Sequence, residues 1–164
     1  MHNGGDCHLA PPSTMIVLSW NCQELRNPYA VTVLSHLMRE KALDVLFLME
    51  TKRTVDEMKL IQAELHYDGM FVVPCIHTVG GLAMLWKEQQ VDLHVQNYTQ
   101  NHIDAQIRTN PSAPWRITGF YGRPEEYRKH ESWSLLRHLH TRNSLPWLCL
   151  GERILRPLRL MEEF

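Results

Sequence analysis

Two short runs, Met15-Ile16-Val17-Leu18-Ser19-Trp20-Asn21-Cys22 and Val45-Leu46-Phe47-Leu48-Met49-Glu50-Thr51, decide how this chain is read. Each is apolar and then stops on a polar residue, Asn21 in the first and Glu50 in the second. The first run is short and holds Ile and Val, the pattern of a buried strand. The second is continuous rather than alternating, which predicts a strand covered on both faces. Between them, Asn27-Pro28 opens a helix from about Tyr29 to Lys41, with Val31, Leu34, Leu37 and Met38 at helical spacing. Strand, helix and strand at this separation make a crossover unit, expected to be right-handed.

Downstream, Thr54 is placed to cap a second helix carrying Val55, Met58 and Leu65, with Glu57 as its capping-box partner. The character then changes. Met70–Val73, Leu82–Trp86, Val91–Tyr98, Ile103–Arg108 and Trp115–Tyr121 read as successive strands, broken by Gly80-Gly81 and Asn110-Pro111. A third helix is expected over Glu131–His140, with Trp133, Leu136 and His140 on one side, and a last buried strand over Pro146–Gly151. The mixture predicts an α+β domain of layered sheets with helices on their outer faces. Residues 1–14, rich in Gly, Pro and polar residues, read as a flexible leader.

Composition narrows the classes. A chain of 164 residues suits one domain, and 44% apolar residues can build a core. No apolar run approaches the roughly 18 residues of a membrane span. The start of the chain lacks the basic-then-apolar pattern of a signal peptide. Lys and Arg total 17 against 18 Asp and Glu, which argues against a strongly basic nucleic-acid coat but allows a local basic cleft. Cys7, Cys22, Cys75 and Cys149 are widely spaced, so neither a zinc knuckle nor a dense disulfide scaffold is expected. They suit a reducing, intracellular setting, nucleus or cytoplasm. The ten histidines are scattered; His138 and His140 fall on different faces of a helix and read as solvated.

Chemistry gathers where strands end. Ligand sites in such sheets collect at the carboxyl ends of strands. Glu50 there suits a hard, oxygen-seeking cation such as Mg²⁺. Asn21 closes the neighbouring strand, and Tyr121, between Gly119 and Gly122, closes a third and can hydrogen-bond a phosphate oxygen. Each also suits a plain role: Glu50 as the first solvated residue after a strand, Asn21 as a turn residue, Tyr121 as packing with a wet tip.

Taken together, five motifs in order say more: Ser19-Trp20-Asn21-Cys22, Leu48-Met49-Glu50-Thr51-Lys52, Gly80-Gly81-Leu82-Ala83-Met84-Leu85-Trp86-Lys87, Gly119-Phe120-Tyr121-Gly122 and Leu145-Pro146-Trp147-Leu148-Cys149-Leu150-Gly151. This order resembles the endonuclease/exonuclease/phosphatase superfamily, the deoxyribonuclease I-like fold, over about residues 15–151. More narrowly it is similar to the nuclease domains of plant LINE-type (non-LTR) retrotransposons. The resemblance implies a four-layer α/β/β/α sandwich and hydrolysis of phosphoester bonds with Mg²⁺ or Mn²⁺. It implies that Asn21 is the active-site asparagine, Glu50 the metal-binding glutamate and Tyr121 the phosphate-contacting tyrosine. The role of Lys52 stays open.

The resemblance also breaks. Relatives commonly have Gly where this chain has Glu24, so the loop after Asn21 is expected to differ. Where the family carries a Gly-Asp-Phe-Asn-type strand end, this chain reads Gly151-Glu152-Arg153-Ile154. Glu152 takes the aspartate's place with one extra methylene, and no asparagine follows. A late Asp-His pair of the family has no counterpart after Gly151, where residues 152–164 form a divergent, basic tail. That abrupt change fits a shifted frame or splice junction. The expectation is the first part only of the sandwich: a truncated, catalytically deficient relative of a metal-dependent phosphodiesterase, with weak DNA contact and no membrane partner. The alternatives are an active Mg²⁺-dependent nuclease or phosphatase using Asn21, Glu50, Tyr121 and Glu152, and a protein-interaction module using strand edges or Trp86, Trp115 and Trp133.

Overall fold

The computed structural model describes residues 14–23, 25, 27–77, 79–108, 113–122 and 129–152. Most of the expected leader, residues 1–13, and the tail after Glu152 lie outside the described residues, as does Glu24. Among the described residues, eight strands and three helices follow in chain order: β1 (Val17–Asn21), α1 (Pro28–Lys41), β2 (Val45–Met49), α2 (Val55–Glu64), β3 (Gly69–Val73), β4 (Leu82–Trp86), β5 (Leu93–Thr99), β6 (His102–Ile107), β7 (Trp115–Tyr121), α3 (Lys129–Thr141) and β8 (Trp147–Glu152). No described helix is long and apolar enough to cross a membrane.

The strands form two four-stranded sheets, ordered β1-β2-β4-β3 and β5-β6-β7-β8. Each carries one parallel pair, β1 with β2 and β7 with β8, and its other neighbours are antiparallel. The continuous run in β2 has the cause inferred from it, since all five residues are buried. Val45, Phe47 and Met49 face the second sheet, where they pack with Ile103, Ala105, Ile107 and Ile117. Leu46 and Leu48 point the other way, into a core shared with Val31 and Leu34 of α1 and Met58 and Ile61 of α2. One strand with a period of two thus serves two cores.

Local signals explain the helix starts. Asn27 caps α1 by accepting from the Tyr29 amide, and Pro28 sits in the first turn, where its missing N–H costs nothing. Thr54 and Glu57 form the reciprocal capping box at α2. The third helix forms as expected, and its burial is now visible. Leu139 is its buried anchor, while His140 is exposed and its ring lies 5.8 Å from that of Trp147.

The outer face of the second sheet holds a buried polar network. Asp104 Oδ1 accepts from Arg116 Nε at 2.8 Å and from Thr118 Oγ1 at 2.5 Å. Arg116 Nη1 donates to the Leu139 carbonyl at 2.5 Å, near the C-terminal end of α3, where a cation is favoured by the helix dipole. The guanidinium lies 4.9 Å from the Trp147 ring, whose Nε1 donates to Thr118 Oγ1 at 2.8 Å. Arg116 is only 2% exposed, so this pair bolts α3 to the sheet from inside. Burial first, and the nearby Asp104 second, push the Cys149 thiol up to about 12, so it stays protonated as a packing group.

His102, beside this network, is buried, with Nδ1 2.9 Å from Thr99 Oγ1 and Nε2 unpartnered. Burial holds its pKa below the usual histidine value; Arg116 and Arg142 add to this and Asp104 opposes it. The unfolded chain therefore takes up a proton near pH 6.5 that the folded chain refuses. Stability is expected to be full above that pH and to decline as the pH drops below it. Melting curves from pH 7.5 to pH 5 on the wild type and on His102→Asn check this. The variant should show a shallower decline, and parallel curves would refute the assignment.

Candidate active site

The ends of four strands meet at one mouth of the sandwich. Asn21 is the last residue of β1, in register with Met49 of β2, and Glu50 follows β2 directly. Tyr121 is the last residue of β7, in register with Glu152 of β8. The parallel pairing inside each sheet sets the strand ends level, and sheet packing turns the two ends toward each other.

Two hydrogen bonds cross between the sheets there. Asn21 Nδ2 donates to Glu152 Oε2, and the Tyr121 hydroxyl donates to Glu50 Oε1. Each pair joins a carboxylate from one sheet to a neutral donor from the other. The quartet is two carboxylates, one amide and one phenol, with no imidazole.

The surroundings fix these side chains. Asn21 Oδ1 accepts from the Gln23 amide at 3.1 Å, which turns the NH₂ toward Glu152. Cys22 donates from both N and Sγ to the Met49 carbonyl, at 3.1 and 2.9 Å, clamping the ends of β1 and β2 together. Glu50 has φ 55° and Lys52 φ 48°, left-handed conformations that non-glycine residues adopt at a cost and that the surroundings must enforce. The enforcement comes from Gly80-Gly81. The Thr51 and Lys52 amides donate to the Gly81 and Gly80 carbonyls at 3.2 and 3.1 Å. Gly81 has φ +92°, and a Cβ there would sit 2.5 Å from Thr51 Oγ1, so only glycine lets the two turns close. Arg53 ties the next turn down, with Nη2 to the Leu25 carbonyl and Nη1 to Glu57 Oε1, both at 2.8 Å.

All four residues singled out from sequence, Asn21, Glu50, Tyr121 and Glu152, are therefore neighbours in space. Lys52 is half-buried in the turn after Glu50. The supports in Gly81, Arg53 and Gln23 were not read from sequence. The Gly80-Gly81 break was visible, but nothing in it shows that its carbonyls hold the glutamate turn. Trp86 and Trp115 pack against the inter-sheet core.

The chain belongs to the endonuclease/exonuclease/phosphatase family, whose sequence profile matches residues 18–151. Solved structures agree in fold. An AP endonuclease from Leishmania major superposes with a TM-score of 0.62 at 19% identity, over 86% of this chain and 56% of that one. The endonuclease domain of TRAS1, a telomere-specific non-LTR retrotransposon, gives 0.60 at 14% identity, over 84% and 58%. A 3′-5′ exonuclease from Neisseria meningitidis gives 0.58 at 19% identity, over 82% and 56%. The chain thus spans a little over half the length of these three. No curated protein matches it by sequence. The architecture is the deoxyribonuclease I-like α+β sandwich in part, as the motif order implied.

Proposed function

We propose that this chain is a cleavage-deficient relative of a divalent-metal-dependent phosphodiesterase of retrotransposon type, one that keeps a hard-cation corner and a weak hold on DNA. The cross-sheet quartet carries the reading. Asn21, Glu50, Tyr121 and Glu152 come from four separate strand ends, yet converge on one mouth. The two carboxylates are hard oxygen donors, the kind that Mg²⁺ or Mn²⁺ prefers, so the residues fit such an ion.

Glu50 would hold the ion, with Glu152 the second carboxylate at the same mouth. When bound, the ion would offset negative charge on a phosphoryl group. The chain's own groups would do the rest. Asn21 offers an N–H and Tyr121 an O–H toward non-bridging phosphate oxygens, and each is already aimed into the mouth by its tether. Glu152 is the carboxylate left to take a proton from water. It is also the weak point, being one methylene longer than the aspartate its motif position implies. Misplacement near 1 Å can cost about a hundredfold in rate. No imidazole in the quartet takes up the developing charge. Cys22, Cys75 and Cys149 are thiols rather than disulfide halves, which suits the nucleus or cytoplasm.

Two measurements on the purified chain test this: Mn²⁺ binding by water-proton relaxation, and nicking of supercoiled plasmid with Mg²⁺ or Mn²⁺. The wild type is expected to bind Mn²⁺, and Glu50→Ala to weaken that binding at least tenfold, with little nicking by either. Metal-dependent nicking abolished in Glu50→Ala would overturn the deficiency and make the chain an active nuclease. Equal Mn²⁺ binding by wild type and variant would overturn the cation corner.

A further inference from the structure

We propose that Asn101 is a positioning residue for Tyr121, the device that aims its phenol at Glu50. The inference deepens the functional reading above, since it concerns the support of the same site. The β6–β7 ladder ends at the pair His102 and Phe120, one residue short of Tyr121. At that point the chain before β6 has already turned back toward β5, so a further ladder strand is missing on that side. Asn101, in the turn, replaces it alone. Its carbonyl accepts from the Tyr121 amide at 2.7 Å, and its Nδ2 donates to the Tyr121 carbonyl at 3.0 Å.

The turn is itself locked. The Asn101 amide donates to Thr99 Oγ1 at 3.1 Å, and the same hydroxyl lies 2.9 Å from His102 Nδ1. On its other side the end of β7 is held by the Gly122 amide, which donates to the Glu152 carbonyl at 3.3 Å. Tyr121 is therefore gripped on both flanks, and on the Asn101 flank the Tyr121 carbonyl is held by that one side chain. The chemistry demands an amide there. Aspartate has the same shape but would set an acceptor against an acceptor, and alanine would leave the carbonyl unpaired. A strand end without that bond frays, and the tilt is magnified at the hydroxyl, the atom farthest from the backbone.

The test uses no metal and no substrate, so it stands or falls apart from the function proposed above. The chain holds five tyrosines, and 3-fluorotyrosine labelling gives each a ¹⁹F resonance, with Tyr121→Phe identifying the one that matters. Glu50→Ala sets the position of that resonance when the pair is broken. Asn101→Asp and Asn101→Ala are expected to move it at least half of the way there and to broaden it, leaving the other four in place. Thr99→Val should move it less, in the same direction. A Tyr121 resonance unmoved in Asn101→Asp would overturn the proposal. So would a displacement of all five resonances together, which is what a merely structural role produces. Should Asn101→Ala not fold, the isosteric Asn101→Asp alone decides.

Discussion

Arg116→Met is expected to lower the unfolding free energy by roughly 3–5 kcal/mol, the usual cost of stranding one member of a buried ion pair. The cause is what stays behind. Asp104 would keep only the Thr118 hydroxyl, in a site where it is 4% exposed, and the Leu139 carbonyl would lose its donor. The helix α3 would also lose its internal bolt. Urea unfolding followed by tryptophan fluorescence reads the loss, because the guanidinium packs on Trp147. The double variant Asp104→Leu/Arg116→Met should recover part of it, since apolar replacement of both partners removes the stranded charge. A single variant within about 1 kcal/mol of wild type would mean that water reaches Asp104 and that the network is not the interior feature described here.

Gly151→Ala is expected to do comparable damage by another route. Gly151 has φ +149°, and a Cβ there would lie 1.7 Å from the Phe120 carbonyl oxygen, a backbone atom that cannot turn aside. The strand β8 must then pull away from β7, taking Glu152 with it. The expected cost exceeds ~3 kcal/mol, the sum of backbone strain and lost pairing. Gly80→Ala is the control. Its φ of +79° carries strain, but nothing lies within 4 Å of the added carbon, so a loss of only about 1–2 kcal/mol is expected. Urea midpoints compare the two, and amide exchange on β7 and β8 localises the effect. Equal losses at Gly80 and Gly151 would contradict the steric account.

The elements that could be read from sequence are those whose pattern has a single cause. β2 was legible at both ends because a strand buried on two faces is apolar throughout. The α2 capping box was legible because Thr54 and Glu57 answer each other within four residues. The apolar pattern starts β5 at Val91, before the ladder's first residue Leu93, because Val91 is buried without being paired in the sheet. The polar network on β6 and β7 went unread. Asp104, Arg116 and Thr118 alternate with Ile103, Ala105 and Ile117, and alternation ordinarily means one wet face. That face is instead roofed by α3, and only the third dimension shows that opposite charges stand on adjacent strands beneath it. The same limit explains the site. Asn21, Glu50 and Tyr121 could be chosen because each is a polar stop to an apolar run. Asn101 could not, because its role is to complete a hydrogen-bond ladder, which leaves no mark on composition.

The mouth of the sandwich has one further consequence. Neither sheet owns a finished pair: each contributes an acid and a donor whose mates belong to its counterpart. A chain with both sheets folded but not yet seated would present two unquenched acids and two idle donors. Whatever chemistry the corner retains is therefore reserved for the fully closed molecule. Thinning of the apolar filling between the layers, at Phe47 or Ile117 for example, should be felt by carboxylates that neither residue touches.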